Sequence, residues 1–246
     1  MKLTKRIFAI AAVLSLAAMT FAQAQSVQKK SGNSNNETYV ENEYLNDIDT
    51  EIIMGLAQAD DMENKLVALS FIKEAIEEGN TSAGVIEALD QLSGEGVLSE
   101  SRTNGRKVNN FPEVRKQACL LMAKVPTEHT KNQLISVALA EDEPMVISAA
   151  VQSLAAINPE NADEVVSAIY WAQKRNQALN PTSSLAWEVV DAYEKLAPMT
   201  TNRKEMIESL TKIAGEYRYS TPVRTKAQRL LKSLTNSGNS KNNDAK

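Results

Sequence analysis

A small apolar residue recurs at one place in an amphipathic helical pattern, at Ala118, Ala150, Val189 and Ala227, with a weaker copy at Ala68. The successive spacings are 50, 32, 39 and 38 residues. Such a period belongs to stacked helix pairs, in which each unit buries its apolar face only against its neighbours. The chain is therefore expected to be all-α, an α-solenoid of about five helix pairs over 45–235. No stretch shows the period-two alternation, bounded by turn signals, that a sheet of any size requires.

Proline punctuates the array. Pro112, Pro144, Pro181 and Pro222 are each placed to open a helix carrying the repeated position, because a first-turn proline has a preset φ and forfeits no intrahelical bond. Asn180 and Thr221 stand where N-caps would accept from first-turn amides. The second helices then show apolar stripes at helical spacing: Val114, Ala118, Leu121 and Val125; Val146, Ala150, Leu154 and Ile157; Leu185, Val189, Tyr193 and Leu196; Val223, Ala227, Leu230 and Leu234. The first helices follow suit with Val85, Leu89 and Leu92; Leu134 and Ala138; Val165, Ile169 and Ala172; Met206, Leu210, Ile213 and Tyr217. An earlier pair, about 45–58 and 62–78, sets Ile52 and Leu56 against Ala68, Ile72 and Ala75. The small central residue lets the helices approach closely, within the usual axis spacing of roughly 8–10 Å.

The segments Pro112-Glu113-Val114-Arg115-Lys116-Gln117-Ala118 and Pro222-Val223-Arg224-Thr225-Lys226-Ala227 resemble the second helix of HEAT repeats, including the PBS-lyase HEAT-like subclass. The shared pattern is Pro or Asp, then Val-Arg, then Ala three residues after the Arg, then Leu. The copy at Pro144 keeps Val146 and Ala150 but has Ile147 in place of the Arg, and the copies at Ala68 and Val189 lack the Val-Arg pair. The resemblance implies a superhelix of stacked pairs that binds another protein, and it implies no catalysis. Some relatives act on bilin chromophores, an activity to which nothing else in this chain points.

The first 24 residues carry Lys2, Lys5 and Arg6, an uncharged stretch from Ile7 to Phe21, and Ala22-Gln23-Ala24. A basic start, a short apolar stretch and an A-x-A end describe an export signal, cleaved after Ala24. The apolar stretch is too short to cross roughly 30 Å of hydrocarbon comfortably. The expected location is the periplasm, with secretion or envelope association as variants, and no membrane segment follows cleavage. Removal of the signal leaves 24 basic against 31 acidic residues, a net charge of −7. With no basic stripe interleaved with aromatics, nucleic acid is excluded as the expected partner. Residues 25–44 read as a flexible leader and 236–246 as a disordered tail, both rich in Ser, Asn and charge.

Chemistry-bearing residues are sparse. His129 stands alone at a helix start, and Cys119, the only cysteine, lies between Ala118 and Leu120, where it reads as a small apolar filler. One His and one Cys do not furnish a zinc site. The acids Asp47, Asp49 and Glu51, and Asp60, Asp61 and Glu63, lack calcium-loop spacing and sit at helix starts that favour negative charge. No catalytic, metal or cofactor site is expected.

Two features are candidates for contact with a protein. Residues 93–111 form an insertion that accounts for the longest spacing, and its Arg102, Arg106 and Lys107 could meet an acidic partner; a tolerated surface loop is the equal alternative. Trp171 and Trp187 fall off the apolar stripes. Solenoid helices meet two neighbours, so both tryptophans are expected to pack; left exposed, they would anchor a partner. The function expected is an exported, non-enzymatic binding scaffold or assembly factor. A structural subunit that stacks on copies of itself is the alternative, and a lyase-related enzyme the remote one.

Overall fold

Ten helices and one minimal hairpin account for most of the residues that the computed structural model describes, 48–243, with side chains through 236. These lie in one unit, Glu43–Lys246. The expected export signal and leader lie outside the described residues. In chain order the elements are α1 (48–57), α2 (Met62–Glu77), α3 (Ala83–Gly94), β1 (Arg102–Thr103), β2 (Arg106–Lys107), α4 (Pro112–Met122), α5 (Glu128–Ala140), α6 (Pro144–Ala156), α7 (Ala162–Leu179), α8 (Ser183–Leu196), α9 (Arg203–Gly215) and α10 (Thr221–Asn243). Among the described residues, no helix is long and apolar enough to cross a membrane.

Local chemistry explains the starts. Asp61, Thr127 and Asn161 cap α2, α5 and α7, their side-chain oxygens accepting from Asn64 N at 2.8 Å, Thr130 N at 3.1 Å and Glu164 N at 3.3 Å. Pro112 and Pro144 open α4 and α6 as expected. Two caps are corrected. Pro181 lies outside its helix, which starts at Ser183 after Thr182, while Asn180 closes α7. Thr221 is already helical; Ser220 precedes it, its carbonyl accepting from Arg224 N at 3.2 Å. The last helix also runs through Asn243, across most of the segment read as a tail. Extending a helix from anchored turns costs far less than nucleating one.

Each helix from α2 to α8 packs on the next helix and on the one after it. The result is two rows, α2-α4-α6-α8-α10 and α3-α5-α7-α9, with the core between them. Helix α1 joins the first pair: Ala57 O accepts from Lys65 Nζ at 2.9 Å and from Gln91 Nε2 at 3.3 Å. Ala68, Ala118, Ala150, Val189 and Ala227 are all fully buried. The stripes fail in two places. Ile52 is exposed while Ile53 and Ala57 turn inward, and Tyr217 is exposed while Tyr219 is buried. Tyr217 lies past Gly215, where α9 has ended and helical spacing no longer applies.

The insertion is shaped rather than irregular. Arg102 pairs with Lys107 and Thr103 with Arg106 in an antiparallel hairpin whose turn residues, Asn104 and Gly105, have φ of 51° and 77°. Positive φ at both central positions suits Asn-Gly and matches strand twist. Gly96 (φ 78°) lies against the Asn109 carbonyl, which leaves no room for a Cβ. Behind the hairpin, Arg115 is buried and bidentate to buried Glu141, at 2.6 and 3.3 Å. Its remaining amine reaches Glu95 O at 3.1 Å and Asn110 Oδ1 at 2.9 Å. Glu141 in turn accepts from the amides of Asp142 and Glu143, each at 3.0 Å, at the start of α6. The arginine of the repeat motif thus ties the insertion to the next helix pair. In the following copy the same position holds Ile147, also buried.

Candidate partner-binding surface

The three candidate features occupy separate parts of the molecule: the hairpin, Trp171 on α7 and Trp187 on α8. In the hairpin, two of the three cations are tied to one carboxylate. Arg102 donates to Glu100 at 2.8 and 3.0 Å, and Lys107 pairs with Glu100 at 2.7 Å and donates to Gly96 O at 2.8 Å. Bonds from Lys107 and then Arg102 hold the Glu100 carboxyl below its usual range. Arg106 is exposed, with no ion-pair partner among the described residues. One carboxylate is shared by two cations, so Glu100 offsets one of the three charges.

Both tryptophans are exposed, against the expectation that they pack: Trp171 keeps 53% of its surface and Trp187 36%. The reason is that each ring is covered by a lysine rather than by a helix. Lys174 lies 4.5 Å from the Trp171 ring centroid, and Lys226 lies 4.2 Å from that of Trp187. A cation over an indole face is attracted by its quadrupole, by about 0.5–1 kcal/mol at exposed sites.

The surroundings differ. Trp171 meets Tyr170 edge-on at 5.3 Å, and Tyr170 donates to Glu208 at 2.8 Å, so the ring belongs to a tied polar ridge across α7 and α9. Bonds from Lys212 and then Tyr170 lower the Glu208 carboxyl below its ordinary value. Trp187 instead lines an open groove of about 600 Å³ between α8 and α10, with Pro222, Thr225, Lys226 and Arg229. Lys226 is paired with Asp191, and burial lowers its ammonium below the usual range. Arg229 is exposed and has no ion-pair partner among the described residues. An aromatic floor, a proline and an available guanidinium suit an extended peptide with apolar and acidic side chains. The periodicity that located Trp187 carried no sign of this groove, because Pro222 and Arg229 come from the next repeat.

His129 projects from the first turn of α5 and meets Asp90 at 2.5 Å on the surface. Cys119 is fully buried, and burial pushes its thiol up to about 12, which leaves no thiolate for chemistry at neutral pH. Among the described residues, no group of three His, Cys, Asp or Glu side chains is placed to hold a metal ion. Comparison with protein-family models, with curated proteins and with solved structures gives no match.

Proposed function

We propose that this chain is an exported, non-enzymatic scaffold of HEAT-like helix pairs that docks a partner protein along its second-helix row, with Trp187 as the anchor. The observation that carries the reading is the Trp187 groove, lined by an exposed indole and by an arginine with no ion-pair partner among the described residues, on adjacent helices of one row. Helix packing on the neighbour two places along supports the repeat architecture. The motif arginine Arg115 supports the same architecture, acting between repeats rather than at a surface.

Export rests on the first 24 residues, and a protein recovered from the periplasmic fraction with Gln25 as its first residue is the expected result. The docking strip is tested by Trp187→Ala and Arg229→Ser in whole-cell crosslinking. Loss of one heterologous crosslink, with the circular-dichroism spectrum unchanged, is expected. Crosslinks indifferent to both substitutions would refute the assignment.

A further inference from the structure

The two ends of the helix array are unlike each other and complementary. At the first end, α1 and α2 leave a pocket of about 240 Å³ in which Ile52 and Phe71 are exposed, 49% and 42%, beneath Asp49, Glu74 and Glu78. All three acids are exposed and lack ion-pair partners among the described residues. At the other end, among the described residues α10 packs only on α8 and α9. Its outer side presents Gln228, Arg229, Leu231 and Lys232, and from Thr221 to Asn236 it contains four cations, Arg224, Lys226, Arg229 and Lys232, and no acid. Lys232, like Arg229, has no ion-pair partner among the described residues.

Repeat arrays that remain single need terminal units with polar outer faces. Among the described residues, this first pair exposes Ile52 and Phe71 between its acids. A symmetric contact of two first ends would set the acids of one copy against those of the other, a like-charge arrangement that is strongly disfavoured. The last helix of a second copy brings cations to the acids and Leu231 to the apolar floor, and it satisfies both ends with one interface.

We infer that copies of this chain associate head to tail, the basic outer side of α10 seating on the acidic-rimmed Ile52-Phe71 pocket of the next copy. Because the two faces are different, the contact is heterologous, and it builds an open chain of copies unless the rotation closes a ring. The interface shares Arg229 with the Trp187 groove, but the variants that test it leave Trp187 and Arg229 unaltered, so its failure leaves the scaffold reading standing.

Sedimentation velocity on the protein in the form that cells accumulate tests this. Mass is expected to grow with concentration and to fall when salt screens the contact. Phe71→Arg blocks the first end, and Gln228→Glu with Lys232→Glu blocks the last; both alter exposed positions, and unchanged circular dichroism verifies folding. Each variant alone is expected to be monomeric at concentrations where the unaltered protein associates, and an equal mixture is expected to stop at dimers. A monomer at all concentrations, including one whose own leader fills the pocket, overturns the inference. So does a closed symmetric dimer, or association that neither variant disturbs.

Discussion

The junction between α4 and α6 and the junction between α6 and α8 occupy equivalent places in successive repeats, yet they are held by different physics. The first centres on Arg115 and Glu141, both buried, with Glu95, Asn110 and two backbone amides completing their bonds. The second is apolar: Ile147 stands where the arginine would be and is buried, as are Ala150, Val151 and Val189. A helix pair split by a hairpin insertion has irregular backbone to satisfy, and a five-donor guanidinium does that. Where the connection is plain, an isoleucine is enough. One repeat position therefore accepts two solutions, chosen by what lies beside it.

Removing one partner of the charged junction gives the largest effect. Glu141→Ala strands a buried guanidinium and is expected to cost about 3–5 kcal/mol, read as a fall in melting temperature. The double change Arg115→Met with Glu141→Leu imitates the neighbouring junction and is expected to regain most of that loss; if it is no more stable than Glu141→Ala, the two junctions are not equivalent. In the apolar junction, Ala150→Phe overpacks a fully buried site and is expected to cost about 1–3 kcal/mol, with Ala118→Phe behaving alike. An unchanged melting temperature would contradict the shared packing position.

A third junction, between α7 and α9, sharpens the contrast through pH. Asp163 accepts from the hydroxyls of Thr200 and Thr201 and from the amides of Thr201 and Asn202, at 2.7 and 3.0 Å, and these bonds hold its carboxyl far below the usual range. A depressed native pKa gives stability that is complete above the unfolded value of about 4 and is lost as pH falls below it. Asp163→Asn is expected to flatten the loss of melting temperature on acidification; an identical acid profile would remove Asp163 from the account. The smallest effect belongs to the hairpin. Replacing Arg102, Arg106 and Lys107 with Ser breaks only exposed or partly buried surface contacts and is expected to shift stability by under about 0.5 kcal/mol. If partner crosslinks weaken with it, Arg106 is the residue to restore first.

The helices were legible because burial is periodic: Ala118, Ala150, Val189 and Ala227 mark one seam, and every stripe built on them is buried or partly buried. What escaped has identifiable causes. Asn104-Gly105 is a strong local hairpin signal, but it stands in strands of two residues that show no alternation. The Arg115-Glu141 pair joins residues 26 apart on different elements, and nothing in the spacing relates them. The tryptophans were misplaced because large rings usually pack, whereas here Lys174 and Lys226 cover them. The Trp187 groove is assembled from two repeats, so neither repeat announces it alone.

The most direct test places a photo-activatable residue at 187, and at 171 as the comparison, in intact cells. One heterologous protein is expected to be captured from position 187 and not from 171, with the adduct abolished by Arg229→Ser. Equal capture from both positions, or none from 187, would contradict a docking surface on the second-helix row.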